Sequence, residues 1–305
     1  MNNISRRQFT GILAGLAGLT WTQAEAFTKK NKHKLAFSTL GAPKWSYDKI
    51  LENAARYGYQ GIEIRGILDQ MDLPLCPEFS SQQAIKNSLK KAKKHRVKIV
   101  GLGASARLHD ADPSLRAKNL DEARRFIDLA QQLKCPYVRV FPNNLPKNQD
   151  REETIKLIIA GLKELGDYAR NANVTVLLES HGEVVGKDLL HRIMQESEHP
   201  NVGLIWDIFN MWSVTKETPR EVYDLLGKYI RHVHIKDAVR EGEKWRYVQV
   251  GQGVAPLKEA MSALIKGGYD GYFAFEWEKK WHPTIPEPKE VFPEFPRAIA
   301  PMLEV

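Results

Sequence analysis

The sequence predicts an α/β protein built as a single (β/α)8 barrel, and three observations predict it. Short β-rich runs alternate with helical patterns, there are eight such runs, and polar residues collect at the C-terminal ends of the later ones. The runs fall at 35–39, 61–65, 98–102, 137–141, 175–179, 203–207, 231–235 and 272–277. Strands joined by helices form a parallel sheet, and eight such units close it into a barrel. At 305 residues the chain exceeds the usual domain, yet barrels of this kind run to ~250 residues as one unit, so a single domain over 35–305 is expected.

The helices announce where they begin. Asp112-Pro113, Asp150 with Glu153, and Thr218-Pro219 with Glu221 are N-terminal patterns, in which a side-chain oxygen accepts from a free N–H of the first turn. After Asp112, residues Leu120, Ala123, Phe126, Ile127, Ala130 and Leu133 recur at helical spacing, the apolar stripe an outer helix buries against a barrel. The proline-rich tail from Pro283 to Pro301 follows Trp281 and carries Phe292 and Phe295, so it is expected to pack over the barrel.

Bulk properties exclude several classes. A mean hydropathy of −0.42 argues against a multi-span membrane protein. The formal charge of +8 and the cluster Lys86, Lys90, Lys91, Lys93, Lys94, His95, Arg96 and Lys98 invite a nucleic-acid reading. The cluster lies on a helix whose Ala84, Ile85, Leu89 and Ala92 face inward, and no aromatics interleave it to stack on bases. It reads as a solvated face, and no nucleic-acid partner is expected. Cys76 and Cys135 stand alone, which points to inert thiols rather than a disulfide framework or zinc module.

The first residues read as an address. Ser5-Arg6-Arg7-Gln8-Phe9-Thr10 resembles a twin-arginine signal, followed by the apolar stretch from Gly11 to Trp21 and the A-x-A site Ala24-Glu25-Ala26. A signal peptide over 1–26 and a polar linker over 27–34 follow, with export by the twin-arginine machinery, a periplasmic mature protein starting at Phe27, and no stable membrane insertion, the apolar stretch being too short to span. The oligomeric state is not legible.

Strand five ends in Leu178-Glu179-Ser180-His181-Gly182, strand six in Trp206-Asp207, strand seven in His232-Val233-His234-Ile235-Lys236-Asp237, and strand eight in Phe275-Glu276-Trp277-Glu278. Polar residues at this end of a barrel strand face the site. A single strand-end acid is more often a cap or an ion-pair partner, but Glu179, Asp207, His234 and Glu276 lie in register on four consecutive strands. Three carboxylates gathered without a cation repel one another, so the set calls for one divalent ion, manganese first, with magnesium, cobalt or zinc also suited to one imidazole among oxygens. Around it, Glu63, Arg65, Arg139, His181 and Lys236 are candidates to bind substrate hydroxyls, although Glu63 and Arg65 equally suit a structural salt bridge. Trp206 precedes an inward ligand and therefore points outward to the helices.

On these residues the stretch from Leu35 to the C-terminus resembles the xylose isomerase-like TIM-barrel superfamily, which includes sugar phosphate isomerases and epimerases, ketose 3-epimerases and inosose dehydratases. The resemblance implies that Glu179, Asp207, His234 and Glu276 hold the metal and that Glu179 and Glu276 are the acid/base pair. It implies substrate contact for Arg240, six residues after the metal His. The segments Glu179 to Gly182, His234 to Asp237 and Glu276 to Pro283 are similar to one subgroup, and Trp281 and His282 in the last join the substrate candidates. One position departs: those epimerases place a His three residues after the metal Asp, and this chain has Asn210, which binds but cannot act as an acid. The implied activity is a metal-dependent isomerase or epimerase on a small sugar or polyol. The alternative is a lyase acting on a keto-sugar, inosose or 3-keto-glycoside through the same enediolate. A non-catalytic sugar-binding module would not need the complete ligand set, and a repair endonuclease of the endonuclease IV type would need three zinc ions and many more histidines.

Overall fold

The computed structural model describes residues 33–304. The expected signal peptide and all but the end of the linker lie outside the described residues. Eight parallel strands close into a barrel: β1 Lys34–Ser38, β2 Gly61–Ile64, β3 Lys98–Arg107, β4 Tyr137–Phe141, β5 Thr175–Glu179, β6 Val202–Asp207, β7 Ile230–Ile235 and β10 Tyr272–Phe275. The expected strands are all present. β1 begins one residue before the expected barrel start, β3 runs five residues past its expected end, and β10 stops at Phe275.

A feature absent from the sequence reading is a two-stranded antiparallel sheet, β8 Asp237–Glu241 with β9 Lys244–Val248, directly after β7. Its turn holds Gly242 at φ 60. Charged residues fill much of it, so no continuous apolar run marks it in the sequence.

Side-chain alternation sorts each barrel strand into two faces. On β7, Val233 and Ile235 join the large core shared with the outer helices, while His232 and His234 are buried outside that core, within the barrel. On β10, Phe273 and Phe275 pack outward, and Phe275 stacks on Phe295 with ring centroids 4.6 Å apart. Phe292 rests on Phe37 at 4.4 Å, so the C-terminal tail does pack on the β1–β10 wall. Trp206 is buried in the same outer core, as its position predicted.

The helix starts agree with their caps. Asp112 accepts from Leu115 N and Asp150 from Glu153 N. Thr218 and Glu221 close a full capping box, whereas the Glu153 side chain turns to Lys156, leaving that box half made. The stripe from Leu120 to Leu133 is buried on the helix Pro113–Leu133. Both cysteines are buried and free, and burial pushes each thiol up to about 12. Among the described residues no helix is long and apolar enough to cross a membrane.

Candidate metal centre and active site

Neighbouring strand ends bring the four expected ligands together. One ligand atom each from Glu179, Asp207, His234 and Glu276 falls within 4.8 Å of the others, and all four residues are buried. Two metal–ligand bonds of ~2.2 Å in line span roughly 4.4 Å, so the four donors are close enough together to share one ion.

Each side chain is aimed by a local device. Asp207 caps the helix Ile208–Thr215, where Oδ1 accepts from Asn210 N at 2.8 Å and Oδ2 is left toward the interior. Ser180 Oγ accepts from Asp207 N at 2.9 Å and ties the ends of β5 and β6. Arg139, from β4, approaches Glu179 Oε2 to 3.3 Å. Gly103 makes room for this arm, because a Cβ there would lie 2.7 Å from both Arg139 Nη2 and Arg65 Cδ. Gly182 turns the chain after β5 at φ +65, where a Cβ would strike Asn143 O at 2.7 Å.

His234 carries the most informative geometry. Its Nε2 lies 2.7 Å from Glu63 Oε2, which reaches across the interior from β2, three strands away around the barrel. A neutral ring donating from Nε2 presents the Nδ1 lone pair to Glu276 Oε1 at 3.3 Å and Glu179 Oε1 at 3.6 Å. Three lone pairs then face one another, and buried His234 Nδ1 makes no hydrogen bond. A divalent cation resolves that arrangement, and imidazole–carboxylate pairing beyond the metal is how such ligands are commonly oriented. Without a cation a proton substitutes. Burial alone would lower the imidazole, but Glu276, Glu63 and Glu179 hold it well above its ordinary value.

Charge gives the same result. Among the described residues, five buried carboxylates around the centre, Glu63, Glu179, Asp207, Glu276 and Glu278, stand against three buried cations, Arg65, Arg139 and Lys236, while a sixth, Asp237, is satisfied by backbone N–H groups away from the centre. With His234 neutral the excess is two negative charges, which one divalent ion cancels. Burial, against the opposing pull of Lys236, raises the Asp207 carboxyl to about 7. Burial would also raise Glu179 and Glu276, but Arg139 with His234 holds the first below its usual value, and His234 with Lys236 holds the second there.

Above the ligands opens a cleft of about 230 Å³, lined by Glu179 and Glu276 at its floor and by Arg65, Arg139, His181, Lys236 and Trp281 among the expected residues. Leu40, Phe141 and Glu278 also line it and were not singled out. Glu278 was legible in principle, since it lies two residues beyond Glu276, the spacing at which an extended chain returns to the same side. Arg139 lies over the Phe141 ring at 3.8 Å, and His181 packs against the same ring at 4.5 Å. Arg65 bonds Gly103 O and Ser105 Oγ, and burial, then the neighbouring Arg139, lowers its guanidinium to about 9. Trp281 is 54% exposed at the rim.

Other expected contacts fall elsewhere. Glu63 neither lines the cleft nor pairs with Arg65; it sits beneath the ligands and orients His234, with His232 Nε2 at 3.2 Å. Lys236 lines the cleft, but its ammonium lies 2.7 Å from Asp207 Oδ2, 2.6 Å from Glu276 Oε2 and 2.7 Å from Glu278 Oε1. That engagement makes it a partner of the carboxylates before any substrate hydroxyl. Arg240 is exposed on β8 and lies over the Trp245 ring at 4.7 Å, because the unexpected hairpin carries it off the barrel axis. Asn210 sits in the first turn of the helix after β6, and His282 is exposed with its ring 5.0 Å from that of Tyr247; neither lines the cleft. Asp237 anchors the hairpin by accepting from the N–H groups of Ala238, Gly251, Gly253 and Ala255.

Comparison with known proteins fits this architecture. The model of the xylose isomerase-like TIM barrel family matches residues 51–295. Fructoselysine 3-epimerase of Shigella flexneri is 26% identical over 254 residues, which cover 80% of this chain and 89% of that protein. An inosose dehydratase of Geobacillus thermodenitrificans is 31% identical over 157 residues, 46% of this chain and 51% of its own. The solved structure of the IOLI protein with a zinc atom bound shares the fold at a TM-score of 0.75 and 23% identity, covering 88% of this chain and 98% of that one. The chain belongs to the xylose isomerase-like TIM barrel family.

Proposed function

We propose that this protein is a metal-dependent sugar isomerase or epimerase that moves a proton at the carbon beside a carbonyl, with Glu179 and Glu276 as its acid/base pair. The observation that carries this reading is convergence. Both glutamates bring Oε1 within 3.6 Å of one nitrogen, His234 Nδ1, at the floor of a cleft. At about 230 Å³ the cleft is smaller than the ~300–1,000 Å³ of drug-sized sites, a volume suited to one sugar ring.

Glu179, Asp207, His234 and Glu276 would hold one divalent ion, which when bound supplies Lewis acidity to a carbonyl and acidifies the adjacent C–H. Manganese is the first choice, and the zinc of the IOLI protein favours a divalent ion in general. The protein's own groups account for the proton. Arg139 keeps Glu179 ionised at neutral pH, so it can accept a proton from carbon. Glu276 lies 2.6 Å from the Lys236 ammonium, which with His234 keeps it ionised, so either glutamate can take the proton from carbon and, once protonated, return it. Arg65, Arg139 and His181 offer N–H groups to hydroxyls, and Trp281 offers an aromatic face at the rim.

A lyase using the same proton abstraction is the second reading. It is favoured by the inosose dehydratase relative and by Asn210 in place of a histidine that could donate. The test is to load the purified protein with manganese and follow deuterium wash-in from solvent into a panel of keto-sugars and inososes, with product analysis. Deuterium in a substrate or its stereoisomer supports the isomerase or epimerase, and an unsaturated product supports the lyase. Metal-loaded protein that binds a panel sugar but exchanges none would instead be a non-catalytic binding module. Export through the twin-arginine route is part of the proposal; normal export of an Arg6→Lys, Arg7→Lys double variant would refute it.

A further inference from the structure

The cleft above the ligands is one of two chambers at the barrel mouth. A second, of about 220 Å³, lies between the loop after β1 and the loop after β10, with Trp45, Lys44 and Pro283 in its walls. Both chambers abut one constriction. Leu40 and Arg65 line the first chamber and the constriction, while Pro43, Asp69 and Lys280 line the constriction and the second chamber. What separates the two is slight. Lys280 pairs with Asp69, and Lys280 N donates to Leu40 O at 3.3 Å.

We propose that the second chamber is a subsite, so that the substrate is a two-unit sugar: a keto-sugar ring over the glutamates, joined to a second hydroxylated ring beside Trp45. This rests on the proposed proton-transfer function for the identity of the first unit. Size supports it, since the chambers differ by little in volume and each suits one ring. Chemistry supports a neutral second unit. The second chamber pairs Lys279 with Glu287 and Lys280 with Asp69, leaving Lys44 as its unmatched charge, against Pro43, Pro283, Pro288 and the small part of Trp45 that the core leaves uncovered. Paired charges beside aromatic and proline surface present donors and acceptors to hydroxyls and flat surface to C–H groups, whereas a phosphate would call for a cluster of unpaired cations.

The test reads binding without turnover. Calorimetric titration of the metal-loaded protein with glucosyl-glucose disaccharides of each linkage, and with glucose, is expected to show at least one disaccharide binding tenfold or more tighter than glucose. Lys44→Trp, from the exposed rim, and Pro43→Trp, from the half-buried wall, fill the second chamber and should each erase that advantage and leave glucose affinity within twofold. Equal affinity for every disaccharide and glucose would overturn the proposal. So would variants that weaken both ligands alike, or an advantage that survives both variants. Because no proton transfer is needed, a protein that fails to exchange deuterium yet shows the disaccharide advantage would contradict the proposed reaction and retain the subsite.

Discussion

The inside of the barrel holds two regions that differ more than their distance suggests. Ala36, Val100 and Ala274 form a small apolar cluster of their own, with Tyr272 packed against it. Two residues further along, β1 offers Ser38 and the chain leaving β10 offers Glu276, and the interior becomes a lattice of carboxylates, imidazoles and cations. At ~3.3 Å per residue, two positions on one face are ~7 Å apart. The comparison teaches that one end of each strand is set by packing and the other by electrostatics, and the two ends can be altered separately.

Changes in the polar region should be felt first in metal binding. Glu63→Ala removes the acceptor that orients His234, and loss of such a partner costs ~10- to 100-fold in metal affinity. Glu63→Gln keeps the size and an oxygen that can accept from Nε2, so it should recover part of the loss. Competition with a chelating indicator measures both, and an unchanged affinity in Glu63→Ala would remove Glu63 from the centre.

The proton competes for the same donors. In the metal-free protein Asp207 titrates at about 7, raised from its ordinary 3.8 by burial. The folded state therefore binds more protons there than the unfolded chain between these values. Through this group, metal-free stability falls as pH rises from about 4 to 7, while metal affinity rises. A displaced proton gives at most tenfold per pH unit, and with Asp207 already half ionised near pH 7 the affinity should weaken roughly 50-fold from pH 7 to pH 5, more if His234 also releases a proton. A flat profile over that range would show that Asp207 is not a ligand.

The apolar region should answer in stability alone. Val100→Ala removes two methyl groups from a closed cluster, which costs about 2 kcal/mol on denaturant unfolding with metal affinity unchanged within twofold. A matching loss of metal affinity would mean that the two regions are coupled. The smallest effect is expected at Arg240→Ala, since Arg240 stands on the hairpin against Trp245 and not in the cleft. Apparent KM should change by less than about twofold in the deuterium wash-in assay.

These expectations follow what the sequence could and could not reveal. The eight strands, and the gathering of Glu179, Asp207, His234 and Glu276 at their ends, were legible because they rest on local periodicity and on a rule about strand ends. Glu63 was not legible in its role, since its partner His234 lies 171 residues away and the contact exists only once the barrel closes. Lys236 looked like a substrate contact because sequence shows its position but not the three carboxylates that surround it. Arg240 was misplaced because a hairpin of charged residues interrupts the strand-to-helix alternation, and spacing counted from His234 no longer reports direction.

The central claim is that Glu179 and Glu276 exchange a proton with the substrate, beyond serving as ligands. The most direct measurement is deuterium wash-in for Glu179→Gln and Glu276→Gln, with metal content determined for each variant. An amide keeps the size and one oxygen but cannot accept a proton, so exchange should fall by ~10²- to 10⁴-fold in each variant, even where metal is retained. Near wild-type exchange in either variant with its metal in place would contradict the claim for that glutamate.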